Sequence, residues 1–186
     1  MESLDMRFDR ELLKNWCGKK LAAYKADPML YTSTVTGVIG LFVGDEVYAL
    51  RNRLQEVDYF GAPDEAAVFT LQKAKEKEIR SFYPGVKQEE VRMDQTIQKV
   101  ILVNENQRLY ENKVQTDDVW LTRALILVLE DTELCFMKDT VTFSEEILFR
   151  KGTGLKGKVA LNTAFLEDWE DGLEPVSEYI FEELSA

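Results

Sequence analysis

Histidine is absent from this 186-residue sequence, and its absence excludes several classes of active site. Without an imidazole there is no Ser-His or Cys-His catalytic couple, no histidine general base and none of the usual histidine-containing zinc sites. Cysteine is almost as scarce, because Cys17 and Cys135 are the only two and each lies among apolar neighbours. This setting indicates small core side chains rather than ligands or nucleophiles. We therefore expect no metal ion and no cofactor, and we favour a protein that is not an enzyme.

Long apolar runs are also missing from the sequence. The longest, Ala124–Leu129, is far shorter than the roughly 20 residues needed to cross a bilayer. The acidic start, Met1–Asp5, lacks the basic and then apolar pattern of a secretory signal. These features predict a cytoplasmic protein with no membrane partner. Hydrophobic residues make up 45% of the chain, as in an ordinary globular protein, and we expect residues 1–186 to fold as one domain.

Basic residues are absent from the C-terminal end of the chain. Residues 159–186 contain no lysine or arginine, whereas residues 1–158 contain 23 basic and 26 acidic side chains. Because most of the chain is nearly balanced in charge, nucleic-acid binding has no support. The acidic segment predicts either a basic protein partner or simple solvation of the fold, and we expect it to matter little to the core. Its acids are Glu167, Asp168, Glu170, Asp171, Glu174, Glu178, Glu182 and Glu183.

Two β-rich blocks of the sequence resemble each other: the first block is residues 19–71 and the second is residues 98–149. We interpret them as an internal pseudo-repeat and expect the same strand order in both. Both long strands are apolar on two faces, which predicts central strands covered on both sides. The residues that match are Lys20 with Lys99, Thr36 with Thr122, Ile39 with Leu125, Leu41 with Leu127, and Val43 with Leu129.

The residues before the first block predict a short helix at residues 9–17. Asp9 is suited to cap its N-terminus, Leu13 and Trp16 share one face, and Gly18 is suited to end it. We expect this helix to cover a sheet.

β-branched and aromatic residues predict strands in both blocks. Residues 72–96 predict a connector with a short amphipathic unit, and residues 176–184 fit a strand or a helix, of which we favour the strand. The strands predicted within the blocks are Leu30–Thr36, Val38–Val43, Val47–Leu50, Val57–Phe60, Ala66–Leu71, Lys99–Asn104, Arg108–Tyr110, Val119–Leu129, Glu133–Met137 and Glu146–Arg150.

These patterns together predict an α+β, β-dominated fold. Two tandem related antiparallel β blocks surround one core, with a capping N-terminal helix. Periodicity does not specify which non-sequential strands pair, so it leaves open whether the blocks pack sheet on sheet or close like a barrel.

Gly152–Gly157 matches the dinucleotide-binding pattern G-x-G-x-x-G. The pattern binds a pyrophosphate only where it opens a helix within a βαβ unit, and only 29 residues follow it. We therefore predict a surface loop here.

Arg123 interrupts an apolar strand at a position where the first block has Gly37. If it is buried, it needs a carboxylate such as Asp117, Asp118 or Glu145, or an anionic ligand, because unpaired burial of a charge costs several kcal/mol. If it lies near the strand end it reaches solvent, and this is the interpretation we favour.

Trp120 lies on the opposite face of the same predicted strand, where we favour a core position over a binding platform. We name Arg123, Trp120 and Asp118 as the candidate ligand- or partner-binding residues, and we name no catalytic residue and no metal ligand.

Two hypotheses for function follow from these features. The first is a non-enzymatic cytosolic interaction or regulatory protein that binds a protein partner, with a basic partner favoured by the acidic C-terminal segment. The second is a small-molecule-binding domain or a carboxylate-based enzyme with a cleft between the two β blocks. The sequence leaves a homo-oligomer open under both hypotheses.

Overall fold

The computed structural model describes residues 1–29, 33–60, 62–161 and 163–186, and only the backbone of residues 62–64. In this part of the chain no helix is long and apolar enough to cross a bilayer. The helix is α1 (Arg10–Trp16), and the strands are β1 (Glu2–Met6), β2 (Lys20–Ala26), β3 (Thr34–Thr36), β4 (Ile39–Val43), β5 (Glu46–Tyr59), β6 (Ala62–Ala74), β7 (Glu89–Thr96), β8 (Lys99–Glu111), β9 (Val114–Val128), β10 (Glu133–Lys138), β11 (Glu146–Gly152) and β12 (Leu173–Leu184). Short 3₁₀ helices lie at Glu76–Glu78, Leu155–Lys158 and Ala164–Leu166.

The strands form two sheets that share one hydrophobic core. The five-stranded sheet has the order β6-β5-β4-β2-β7, and the seven-stranded sheet has the order β12-β8-β9-β10-β11-β3, with β1 parallel to β9. Leu21 and Leu41 of the first sheet pack in one cluster with Leu102 and Leu125 of the second. The β-dominated α+β fold is thus confirmed, and the two blocks pack sheet on sheet.

The two sheets have the same strand order over five strands. In each sheet four strands lie side by side in chain order, and a fifth returns to pair with the first: β7 pairs with β2, and β12 pairs with β8. The register is offset, because Leu21 pairs with Val43 whereas Val100 pairs with Leu127 and not with Leu129. The common strand order agrees with the expectation from the repeat, and an internal duplication of the sequence stays a prediction.

Helix α1 forms where the sequence predicts a capping helix. The Asp9 side chain accepts hydrogen bonds from the backbone N–H groups of Glu11 and Leu12 at 2.9 and 3.2 Å. These bonds satisfy donors that have no partner within a helix. Leu13 and Trp16 are fully buried, so α1 covers one end of the core.

Several predicted strand boundaries are wrong. β5 and β6 form one long hairpin, whereas the sequence predicted separate shorter strands, and the predicted connector at residues 72–96 contains the end of β6 and the whole of β7. β7 lies at a sheet edge and points only Val91 and Met93 toward the core, so it lacks the strong alternation of a half-buried strand. Residues 30–32 of the predicted strand Leu30–Thr36 lie outside the described residues.

β12 corrects the expectation that the acidic C-terminal segment matters little to the core. It pairs with β8 along its whole length, from Leu173 opposite Glu111 to Leu184 opposite Val100. Leu184 is buried in the core cluster. Residues 173–184 of this segment are therefore part of the sheet, and the strand predicted at residues 176–184 is present. The prediction failed because charge counting ignores the backbone, which pairs regardless of the acidic side chains.

Candidate functional site

Arg123 lies at a β-bulge in β9, and this irregularity directs its side chain. Val103 of β8 pairs with Ala124, and the next residue, Asn104, pairs with Thr122, so Arg123 is the extra residue of β9. A bulge bends the strand and redirects the extra side chain, and bulges are common beside functional sites. Arg123 is only 2% exposed. The expectation that it reaches solvent is therefore wrong, because the bulge turns the guanidinium over the sheet.

Glu105, in the neighbouring strand β8, is the carboxylate that Arg123 contacts. Arg123 Nε and Nη2 donate to Glu105 Oε2 at 3.0 and 2.5 Å, and Nη1 donates to the carbonyl oxygen of Asp139 at 3.1 Å. Ser177 Oγ, from β12, donates to Glu105 Oε1 at 2.7 Å. Glu105 is fully buried. These additional hydrogen bonds help to offset the cost of removing both charges from water.

Two of the three carboxylates proposed as partners for a buried Arg123 lie elsewhere. Asp117 accepts a hydrogen bond from Thr116 Oγ1 at 2.7 Å, and Glu145 lies 3.3 Å from Arg53 Nε. Neither is paired with Arg123. A buried Arg123 does have a carboxylate partner, but the partner is Glu105 of the neighbouring strand, which was not among the three named.

The third carboxylate, Asp118, and Trp120 lie on the opposite face of β9 from Arg123. Asn106 of β8 pairs with Trp120, and its Nδ2 donates to Asp118 Oδ1 at 2.6 Å. Glu105 precedes Asn106 on β8, so alternation places the two on opposite faces. The guanidinium carbon of Arg7 lies 4.5 Å from the centre of the Trp120 ring. The structure therefore brings Asp118 and Trp120 together and separates both from Arg123.

Arg7 is already paired on this second face. Its Nε and Nη2 donate to the two oxygens of Asp5 at 2.9 and 2.7 Å, and this contact lowers the pKa of Asp5. An open groove of about 460 Å³ beside it is also lined by Arg10, which forms an ion pair with Glu182. Both arginines thus have carboxylate partners, and neither is left to hold an anionic ligand.

Tyr59 extends the cluster around Arg123 from the other sheet. It is the last residue of β5, and its hydroxyl donates to Oε1 of the buried Gln107. Burial, followed by the negative charge of Glu105, raises the pKa of Tyr59. The hydroxyl therefore stays protonated at neutral pH and acts as a hydrogen-bond donor.

Lys138 also belongs to this cluster, and it forms no ion pair among the described residues. It ends β10 and is only 4% exposed. Burial, followed by repulsion from Arg123, lowers the pKa of Lys138 to about 7, against the attraction of Asp139 and Glu105. Among the described residues, no side chain or backbone oxygen accepts a hydrogen bond from its ammonium group.

A cavity of about 20 Å³ lies where these groups meet, at the junction of the two β blocks. Because a water molecule needs roughly 10–15 Å³ of such volume, the cavity has room for about one water-sized body. It has no room for an organic substrate. Its lining includes Met6, Tyr59, Leu121, Arg123, Lys138 and Thr142.

Sequence reasoning found Arg123 but missed Glu105, Lys138 and Tyr59. One signal was present, because residues 104–107 are four consecutive polar residues in a strand, and all four are buried. Such a run breaks the alternation expected of a half-buried strand. Lys138 and Tyr59 carry no comparable local signal, since both lie at strand ends, where polar side chains are ordinary.

The two cysteines and the glycine-rich segment form no reactive site. Cys17 and Cys135 are buried and free, and burial raises the pKa of both thiols, that of Cys135 to about 12. Their thiolates are therefore scarce at neutral pH. Gly152–Gly157 follows an antiparallel strand and leads only into the 3₁₀ helix Leu155–Lys158, so the helix N-terminus that a pyrophosphate needs does not form.

The acidic edge is a second candidate surface, and it consists of β12 and residues 167–172 before it. β12 is the outermost strand of its sheet, with β8 on one side. Three of its acids form ion pairs, namely Glu178 with Arg108, Glu182 with Arg10, and Glu183 with Lys99 and Lys156. Five exposed acids have no ion pair among the described residues: Glu167, Asp168, Glu170, Asp171 and Glu174.

Comparison with known proteins gives no match: no family model matches the sequence, no curated protein is significantly similar to it, and no solved structure significantly matches its fold. Function has to be inferred from the residues themselves.

Proposed function

We propose that this chain is a non-enzymatic interaction protein whose acidic edge binds an extended, basic segment of a partner protein. The observation that carries the proposal is the position of β12, a 12-residue strand that is hydrogen-bonded to β8 on one side and is outermost in its sheet on the other. An outermost strand offers unpaired backbone N–H and C=O groups to an added strand. Pro175 within β12 fits this position, since proline in sheets is confined largely to edge strands.

Charge favours a basic occupant. Residues 167–174 carry five exposed acids without an ion pair among the described residues, and residues 159–186 contain no basic side chain. A strand with lysine or arginine along it would gain favourable cross-strand pairs beside these acids, which also raise the rate of association. Val176 and Phe181 of β12 are each 36% exposed, so they offer apolar contacts between the charges.

The same charges disfavour a second copy of this chain as the occupant. Two β12 strands side by side would place carboxylates next to carboxylates, and like charges across a strand pair are destabilising. Charged edges are a common protection against self-association. A basic partner is not repelled by these carboxylates, so the edge should bind a basic strand in preference to a second copy of this chain.

The alternative, a ligand-binding domain or enzyme with a cleft between the blocks, has less support. The structure does bring Tyr59 and Arg123 together at the junction of the blocks, but the cavity there is about 20 Å³. Carboxylate catalysis needs two carboxyl groups facing a substrate. Glu105 is instead fully buried and occupied by hydrogen bonds from Arg123 and Ser177.

The test is a titration with a synthetic peptide of alternating lysine and valine, long enough to lie along β12. We expect backbone amide shifts in the NMR spectrum that are concentrated in residues 173–184, with affinity falling as salt is raised. Glu174→Lys should weaken binding by about threefold or more, since it replaces an attraction with a repulsion. Asp45→Lys makes the same change in net charge at an exposed turn of the other sheet and should leave the affinity nearly unchanged.

A peptide of alternating glutamate and valine should not bind. If Glu174→Lys and Asp45→Lys weakened peptide binding equally, the peptide would be attracted only by the overall negative charge. That result would refute the assignment of the binding site to β12. Sedimentation that shows a dimer of the protein alone, lost on Glu174→Lys or on Phe181→Ser, would make a second copy the occupant and would overturn the basic partner.

A further inference from the structure

Strand β7 is a further open edge of the fold, at one end of the five-stranded sheet. It pairs with β2 on one side and with no other strand among the described residues. The last two residues of β7 are covered by the turn before β10. The backbone N–H of Thr96 donates to Glu130 Oε2 at 3.3 Å, and Gln95 Oε1 accepts from the backbone N–H of Asp131 at 3.2 Å. Residues 89–93 have no such cover in the described part of the chain, so their outer backbone groups are open to an added strand.

The open part of β7 carries side chains of both charges on one face. Val91 and Met93 pack against the core cluster, so alternation points Glu90 and Arg92 away from the core. Both of these charged side chains are exposed, and Lys25 of β2 lies opposite Glu90. β7 therefore differs from β12, whose charged side chains are all acidic.

A second copy of β7 can pair with this edge in only a few symmetric registers. In a twofold antiparallel pair that keeps core-facing side chains on one side, one residue lies opposite its own copy and its neighbours pair across it. A register centred on Glu90 puts glutamate opposite glutamate, and one centred on Arg92 puts arginine opposite arginine. Like charges at such positions are destabilising. A register centred on Met93 would need the covered residues Gln95 and Thr96.

The register centred on Val91 is the one that joins opposite charges. It places Glu90 of each copy opposite Arg92 of the other, so the same favourable contact occurs twice. Glu90 then lies between Lys25 of its own chain and Arg92 of the second copy. On the core side Val91 meets Val91, and Glu89 meets Met93, so no like charges are opposed.

We propose that the chain forms a twofold-symmetric homodimer through β7, with the two strands antiparallel and centred on Val91. The two five-stranded sheets then join into one continuous sheet. The contact of Arg92 with Asp94 in the single chain does not prevent this, because it is an exposed pair of a kind that contributes little. The acidic edge at β12 is on the other sheet and stays free in the dimer.

The dimer should be weak, because a strand pair over residues 89–93 is a small interface. We expect a dissociation constant of roughly 10–100 µM. At the low micromolar concentrations used for fluorescence-detected unfolding the protein is then mainly monomeric.

Sedimentation equilibrium of the full chain over a range of concentrations tests the proposal. The natural sequence should show a monomer–dimer equilibrium. Arg92→Glu makes both contacts across the twofold axis repulsive between carboxylates, and Glu90→Arg makes both repulsive between cations. Each substitution should raise the dissociation constant by about tenfold or more. Both positions are exposed, and circular dichroism checks that each variant keeps the fold.

The two single variants should restore dimerisation when they are mixed. In the mixed pair the two glutamates of Arg92→Glu face the two arginines of Glu90→Arg, so both contacts are attractive. The double variant Glu90→Arg/Arg92→Glu should also regain self-association, because exchanging the two charges keeps each contact attractive. Lys151→Glu is the control for net charge, since Lys151 is exposed on β11, and it should dimerise like the natural sequence.

A measurement without substitutions locates the interface. As the natural protein is diluted, the backbone amide signals of residues 89–93 should shift in the NMR spectrum, and those of residues 173–184 should not. A protein that stays monomeric up to about 1 mM would overturn the proposal. So would a mixture of the two single variants that stays monomeric, or a dimer that is lost on Glu174→Lys and not on Arg92→Glu, since the second result would place the contact at β12.

Discussion

Arg123 donates two hydrogen bonds to the same oxygen of Glu105, and both side chains are almost completely buried. The pair exists because a β-bulge in β9 places an extra residue opposite β8. At this bulge the charged side chain of Arg123, in an otherwise apolar strand, pairs with Glu105 inside the protein and does not reach solvent.

Breaking this pair should cost far more than breaking a surface pair. Arg123→Met leaves the buried carboxylate of Glu105 without its charged partner, so the free energy of unfolding should fall by roughly 3–5 kcal/mol. The measurement is urea unfolding followed by tryptophan fluorescence. Arg92→Met is the control, since Arg92 and Asp94 form an exposed pair at 2.9 Å, and it should cost less than about 1 kcal/mol.

The double variant Arg123→Met/Glu105→Gln should lose clearly less stability than the two single variants added together, because it leaves no unpaired charge at this position. Agreement with the simple sum to within about 0.5 kcal/mol would mean that the two residues do not act as a pair.

Because Lys138 is buried, the protein should be more stable at high pH than at neutral pH. The pKa of Lys138 is lowered from 10.5 to about 7 in the folded state, so between these values the unfolded chain binds the additional proton. The cost of burying Lys138 in the folded state is therefore absent above about pH 10.5. This cost grows as the pH decreases from 10.5 toward 7 and is constant below that. We expect the free energy of unfolding to rise by roughly 3–5 kcal/mol from pH 7 to pH 10 through this group.

Lys138→Met should be more stable than the natural sequence at pH 6 and should lose most of this pH dependence. Urea unfolding at a series of pH values gives both results. A slope that is unchanged in Lys138→Met would show that another group is responsible and that Lys138 has an ordinary pKa in the folded protein.

The parts of the structure that the sequence predicted are those encoded by neighbouring residues. Asp9 predicts its helix because the capping hydrogen bonds reach only two and three residues along the chain. Leu125 and Leu127 predict a buried central strand because their side chains define its local pattern. In both cases the physical cause lies within a few residues.

The site could be predicted only in part because its contacts are not local. Arg123 was recognisable as an unusual residue, but its partner Glu105 lies 18 residues away, across a bulge that shifts the alternation of faces. Tyr59 comes from the other sheet. β7 was missed for another reason, since an edge strand needs few apolar side chains and so leaves a weak pattern.

Gly40 should tolerate no side chain, because Ile79 packs directly on its backbone. A Cβ atom at Gly40 would lie 2.5 Å from Ile79 Cγ2, and Ile79 is buried. Gly40→Ala should therefore destabilise the protein by about 1–3 kcal/mol. Gly157→Ala is the control, since a Cβ there meets nothing within 4 Å, and it should change stability by less than about 0.5 kcal/mol.

Removing the obstructing side chain should relieve this clash. Ile79→Ala alone leaves a cavity and should cost about 2–5 kcal/mol, but adding Gly40→Ala to it should cost much less than Gly40→Ala does in the natural sequence. Thermal unfolding of the four proteins gives the coupling. Purely additive effects would show that the substitution at Gly40 is costly for a reason other than Ile79.

Deleting residues 173–186 should cause a large loss of stability, because it removes all of β12. The deletion leaves one side of β8 without a neighbouring strand from Val100 to Glu111, removes the buried Leu184 from the core and takes away Ser177, which hydrogen-bonds Glu105. Exposed backbone groups along such a strand also promote edge-to-edge association. We expect aggregation, or a fall in the midpoint of thermal unfolding of more than about 10 °C. Deleting only Ser185 and Ala186, which lie beyond β12 and are exposed, is the matched control and should leave the midpoint nearly unchanged. If the longer deletion also left the midpoint unchanged, β12 would be a peripheral strand, and the pairing with β8 would contribute little to the fold.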